Sequence, residues 1–161
     1  MITLSENNNV TASLVESIYN PNKEYFDSIT SNMGMEDDTE VLNALKWKFT
    51  EDQGHGLEKV LNIKNDSAIV GLLEGLVDGS TVHTSLNFSL IAFADFAVPL
   101  HTYLKSIGVT KMIAWAKPSS TDEAALLNAL NQPTLYNVVT SSTSTFADNP
   151  IEHSFITLDL L

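Results

Sequence analysis

Histidines and carboxylates are the side chains here with chemistry to offer, and their spacing restricts what they can do. The four histidines, His55, His83, His101 and His153, include no pair at the i, i+4 spacing of a zinc-binding helix. Cysteine is absent, which excludes disulfides, thiol nucleophiles and thiolate metal sites. Glu36, Asp37, Asp38 and Glu40 crowd together without the ligand spacing of a calcium loop. They read as a solvated helix entrance favoured by the macrodipole. No metal centre is expected. Gly-x-Ser-x-Gly, Gly-Lys-Ser/Thr and His-Glu-x-x-His motifs are all missing. His83, just past the Asp78-Gly79 pair, is of a type that accepts a proton near neutral pH. As a plain strand residue it would simply be exposed.

The elements that must position these groups are marked by turn chemistry. Asn65-Asp66 and Asp78-Gly79 predict tight hairpins between strands Leu57–Lys64, Ala68–Val77 and Thr81–Leu90. Phe93, Phe96, Ala97, Leu100 and Leu104 then recur three and four apart, the period of a helix with one apolar face. Asp95 is its expected cap, and Pro99 fits only in a first turn. Thr110–Ala116 predicts a buried strand, parallel to Thr81–Leu90 and beside it, with Ile113 and Trp115 meeting the helix. Ser120 and Glu123 form a capping box for a helix over Thr121–Leu130. Leu135–Phe146 and His153–Leu161 read as closing antiparallel strands.

Upstream, Ile2–Leu4 reads as a strand. Three helices follow: Val10–Tyr19 capped by Asn7–Asn9, Lys23–Met33 with Tyr25, Phe26 and Ile29 inward, and Thr39–Trp47. Thr50–Gly56 reads as a loop. No repeat or linker divides the chain, so residues 1–161 are expected to form a single α/β domain.

The formal charge of -12, with every one of the eight basic residues a lysine, argues against nucleic acid and anionic membranes as partners. A basic protein surface or a second copy of the chain suits it better. Acidic mimicry of nucleic acid is disfavoured, because the strands carry few carboxylates.

The order of three antiparallel strands, helix, parallel strand, helix and two strands resembles the GNAT N-acyltransferase superfamily. So does Ile69-Val70-Gly71, where that family often has an apolar-apolar-Gly segment. The resemblance implies a mixed central sheet, an antiparallel meander followed by a parallel strand, with flanking helices. It also implies a general base at the position of His83, and Tyr136 as a displaced general acid.

The family's acetyl-CoA loop, Gln/Arg-x-x-Gly-x-Gly/Ala, corresponds to the stretch containing Ile91, Ala92, Phe93, Ala94 and Asp95. This stretch has neither glycine nor a basic residue, so Phe93 and Phe96 are expected to fill the site and Asp95 to repel phosphate. The expected function is therefore a non-enzymatic GNAT-like scaffold without a cofactor, acting through protein contacts. GNAT-like proteins of that kind occur among the virion and assembly proteins of bacteriophages. The alternative is a divergent acetyl-CoA-dependent N-acyltransferase. Met1–Glu6 lacks the features of a secretory signal, and no apolar run approaches the ~20 residues of a membrane span, so an intracellular or virion-associated protein is expected.

Overall fold

The computed structural model describes residues 1–30, 38–50, 58–85, 88–116, 132–145 and 152–161. In chain order these hold β1 (Ile2–Glu6), α1 (Ala12–Tyr19), a 3₁₀ turn (Asn20–Asn22), α2 (Lys23–Thr30) and α3 (Asp38–Thr50). Next come β2 (Glu58–Asn65), β3 (Ala68–Asp78), β4 (Thr81–Ser85), α4 (Phe93–Ser106), β5 (Lys111–Ala116), β6 (Tyr136–Thr145) and β7 (Glu152–Leu160). The expected helix over Thr121–Leu130 and its capping box lie outside the described residues, as do His55 and most of the Thr50–Gly56 loop.

Two turns fix the centre of the sheet. Asp66 (φ 54°) and Gly79 (φ 60°) take the left-handed backbone that twist-matched hairpins require. They set β2 against β3 from Asn65↔Ala68, and β3 against β4 from Asp78↔Thr81. Helix α4 then carries the chain over to β5, which runs parallel to β4 from Thr81↔Lys111 to Ser85↔Trp115. The seven-stranded order is β1-β2-β3-β4-β5-β7-β6, with β4 and β5 its parallel pair. This is the mixed α/β sheet that the turn pattern predicts.

Helix α4 covers one face. Phe93, Phe96, Ala97, Leu100 and Leu104 are buried there against Leu61, Leu73, Val82, Met112 and Ala114. Met112 and Ala114 are the β5 residues described in this core, where Ile113 was expected; the side chain of Trp115 lies outside the described residues. Met-Ile-Ala-Trp is apolar at every position, so its sequence carries no phase, and a one-residue slip exchanges the faces. Pro99 is the seventh residue of α4, outside the first turn, and leaves the Asp95 carbonyl without its helical donor.

The other face carries α1, α2 and α3 over a second core of Val15, Ile18, Tyr19, Phe26, Val41, Phe49, Val60, Leu72 and Phe88. Helix α1 is capped by Thr11, whose Oγ1 accepts from the Leu14 N–H at 3.2 Å, rather than by Asn7–Asn9. Asn7 instead ties the loop to β2 through Asn62 at 3.0 Å. The α-helix stops at Tyr19, and Asn20-Pro21-Asn22 forms a 3₁₀ turn that accepts the proline in its first turn. Tyr25, at 46% exposed, stands outside the core. No helix among the described residues is long and apolar enough to cross a membrane.

Candidate active site

The site lies where the chain passes from β4 to the start of α4. The described pairing of β4 with β5 runs from Thr81↔Lys111 to Ser85↔Trp115. Further along, the chain is still held to β3: the Leu72 N–H donates to the Phe88 carbonyl at 2.9 Å, and the Leu90 N–H to Val70 at 2.9 Å. Glu74 pairs with Ser85 and Gly71 with Ser89, so four steps on this strand match three on β3. The register thus gains one residue on this strand between the two pairs, a β-bulge. From Ser89 the chain leads into α4 at Phe93.

Gly71 is required at this point. A Cβ there would stand 2.7 Å from the Phe88 carbonyl oxygen and 2.8 Å from the Ser89 Cα, both backbone atoms. The Ile69-Val70-Gly71 segment thus has a steric reason. Ser89 locks the next turn, its Oγ accepting from the Ile91 N–H at 3.1 Å and donating to the Ile91 carbonyl at 3.0 Å. The Tyr25 O–H donates to the Ser89 carbonyl at 3.2 Å.

Helix α4 starts uncapped. Ala92 is the N-cap, extended (φ -67°, ψ 148°), and makes no side-chain bond to the first turn. Asp95 sits at the third helical position, its N–H donating to the Ala92 carbonyl at 3.0 Å, and does not cap. The N–H groups of Ala92, Phe93 and Ala94 find no acceptor among the described residues. Phe93 and Phe96 do not fill the mouth. They turn inward, packed edge-to-face at 5.1 Å, and leave Ala92, Ala94 and Asp95 exposed. Small exposed side chains over free N–H groups at a helix start suit an anion, and Asp95 opposes one.

His83 is exposed on β4, between Leu76 of β3 and Ile113 of β5. Its neighbours Val82 and Thr84 are buried toward α4, so by alternation the imidazole stands on the opposite face. Glu74 shares that face, directly across from Ser85 and diagonal to His83. Its Oε2 lies 3.8 Å from Lys48 Nζ of α3. Burial pushes the Lys48 ammonium below its ordinary range, against the raising effect of the Glu74 charge. Lys48 and Glu74 were not foreseen from the sequence. The available signal was a lone carboxylate inside the apolar run Leu72-Leu73-Glu74-Gly75-Leu76.

Tyr136 is not brought to His83. It is 1% exposed on β6, its O–H donating to the Ala97 carbonyl at 2.8 Å and its ring 5.5 Å from His101. Burial pushes its phenol above the usual tyrosine range. His101 meets the Leu161 carbonyl at 2.7 Å, and His153 lies on β7. Among the described residues, no three histidines or carboxylates gather as a metal site.

No protein-family model and no curated protein matches the chain. Solved structures do. An acetyltransferase from Thermus thermophilus matches with a TM-score of 0.62 at 15% identity, over 98% of this chain and 97% of that one. Mycobacterium smegmatis RimJ, in complex with CoA-disulfide, matches at 0.65 and 13%, over 98% and 81%. Campylobacter jejuni N-acetyltransferase PseH, in complex with acetyl coenzyme A, matches at 0.54 and 16%, over 99% of each chain.

These matches correct the expectation of a non-enzymatic, cofactor-free scaffold, with its virion or assembly role. The chain's structural neighbours are acetyltransferases, and two of those named are complexes with a CoA compound. Phe93 and Phe96, expected to fill the loop, pack inward instead and leave the start of α4 to its main-chain N–H groups and the exposed Ala92, Ala94 and Asp95. At such identities the likeness concerns architecture, and the architecture of this chain is the GNAT fold.

Proposed function

We propose that the chain is an acyl-CoA-dependent N-acyltransferase. One observation carries this reading: α4 starts uncapped beyond the C-terminal end of β4, and the N–H groups of Ala92, Phe93 and Ala94 find no acceptor among the described residues. Those N–H groups would hold the pyrophosphate, with the exposed Ala92 and Ala94 methyls allowing approach. CoA supplies an acyl thioester, an activated carbonyl with a good leaving group. The chain's own part is to present the acceptor amine and take its proton.

His83, exposed near the C-terminal end of β4, is the residue for that task. The amine nitrogen forms the amide bond as the carbon–sulfur bond breaks. The amine's proton passes to the imidazole Nε2 or Nδ1, and the thiolate is reprotonated. Tyr136 has no part in the proposed chemistry, since its O–H is buried on the Ala97 carbonyl.

The test is an acetyl-CoA titration followed through backbone amide resonances. Shifts confined to Ala92, Phe93 and Ala94 and to the C-terminal end of β4 are expected. Because the donors are backbone dipoles and the chain carries -12, screening must relieve repulsion, so affinity should rise with salt. His83→Gln should keep the shifts and lose roughly 10²–10⁴ in turnover. Shifts elsewhere, or none at millimolar ligand, would overturn the reading.

A further inference from the structure

His83 is flanked by apolar side chains on both sides. Its partner across β3 is Leu76, and its partner across β5 is Ile113. Residues paired in this way share a face of the sheet, and adjacent strands lie about 4.8 Å apart. Leu76 is 39% exposed and Ile113 half-buried, so a molecule held at the imidazole touches both. Beyond Ile113 the row continues to the uncharged Thr157 of β7, and the half-buried Phe155 lies two residues before it on the same face. Glu74, the carboxylate diagonal to His83, has a side chain only 18% exposed and 3.8 Å from the Lys48 ammonium.

We infer that the acceptor is a primary amine carried on a short apolar chain or an aromatic ring, and that Leu76 and Ile113 select it. This rests on the proposed acyltransferase reading and names its substrate class. The net charge of -12 draws every cationic amine toward the chain and so cannot choose among them. The choice falls to what touches the substituent. A hydroxyl or a second ammonium set against Leu76 and Ile113 loses water and gains no partner from them. An apolar substituent is favoured by leaving water at the same place. The same flanks assist the reaction. Only the neutral amine attacks a thioester, and apolar surroundings disfavour the ammonium form. The nitrogen bonds to the acyl carbon as the carbon–sulfur bond breaks, its proton passes to His83, and the thiolate is protonated to the free thiol.

Acetyl transfer from acetyl-CoA to phenethylamine, ethanolamine and spermidine, compared as kcat/KM, tests it. Amine binding is followed separately through the imidazole resonances of His83. Phenethylamine should exceed the other two by about tenfold or more, the scale on which an apolar contact discriminates. Leu76→Ser should cut the preference for phenethylamine over ethanolamine about tenfold, and Leu76→Met should retain it. Should Leu76→Ser fail to fold, Ile113→Thr reads the same loss with its shape nearly unchanged. Ethanolamine or spermidine acetylated as well as phenethylamine would overturn the inference and leave the acyltransferase reading standing. So would a preference that Leu76→Ser and Ile113→Thr leave unchanged. If no amine is acetylated, that reading falls, and the His83 resonances decide on the apolar-amine site. Shifts with phenethylamine and none with ethanolamine support it, and the absence of shifts with either overturns it.

Discussion

The two faces of the sheet are held by different kinds of core. Under α4 the core is largely aliphatic and comes from a periodic helix laid on alternating strands. Under α1–α3 it turns on single aromatic residues from distant segments. Tyr19 stacks on Phe26 at 6.1 Å, and Phe88 takes Phe26 at 4.8 Å and Phe49 at 5.1 Å. Phe88 also lies on the bulged strand, and its carbonyl accepts from Leu72. The aliphatic core thus lies under α4, while the aromatic core includes Phe88, on the segment that leads from β4 to α4. Stability and site geometry are divided between the faces.

Phe88→Ala is the strongest way to break that division. It should cost about 3–5 kcal/mol, the range for phenylalanine in a packed core, and should also abolish acetyl-CoA binding. Leu100→Ala, from the α4 face, should cost about 2–5 kcal/mol and leave affinity intact where the variant is still folded. Denaturant melts with a parallel titration separate the two. Equal losses of affinity from both variants would show that the faces are not divided.

Gly71→Ala sharpens the comparison at a smaller cost. Its Cβ would meet two backbone atoms of the bulge, at 2.7 Å and 2.8 Å, and neither can rotate aside. Overpacking of this kind costs about 1–3 kcal/mol. The strand should shift at Ser89 and carry the start of α4 with it, so affinity should fall further than stability. A rise in melting temperature, as for an unstrained Gly→Ala, would show that the close approach is absent in solution.

The same division explains what the sequence made legible. The meander could be read because Asn65-Asp66 and Asp78-Gly79 admit little besides tight turns. Helix α4 could be read from its three-and-four spacing, and the parallel placement of β5 followed from the crossover. Single aromatics carry no period, so Phe49 and Phe88 gave no warning of their shared cluster, and Trp47 at 61% exposed looked equally fit for the interior. Thr81–Leu90 read as one strand because its alternation conceals the register shift between Ser85 and Ser89. Side-chain motifs bear least on the start of α4, because the donors invoked in the proposed function are main-chain N–H groups, which any residue supplies.

Tyr136→Phe gives the smallest effect and tests whether the α4 face is purely structural. The phenol O–H on the Ala97 carbonyl is one buried hydrogen bond, worth about 1 kcal/mol at neutral pH. The Ala97 carbonyl keeps its helical partner in the variant, so the loss should not exceed that. Burial raises the Tyr136 pKa in the folded chain, so folding favours the protonated phenol. Its contribution is fully present below the unfolded value of ~10 and is lost as pH rises through the folded value. Wild-type stability should therefore fall more steeply than the variant's above pH ~10, closing the gap between them. Tyr103, raised by burial and by its bond to Glu6, keeps an alkaline slope in both proteins. Urea midpoints across that pH range measure the difference. Turnover should stay within about twofold of wild type, because a buried O–H that meets no substrate contributes nothing to the barrier. A loss of 10²-fold or more, the scale of a general acid, would move Tyr136 into the active site and break the division between the faces.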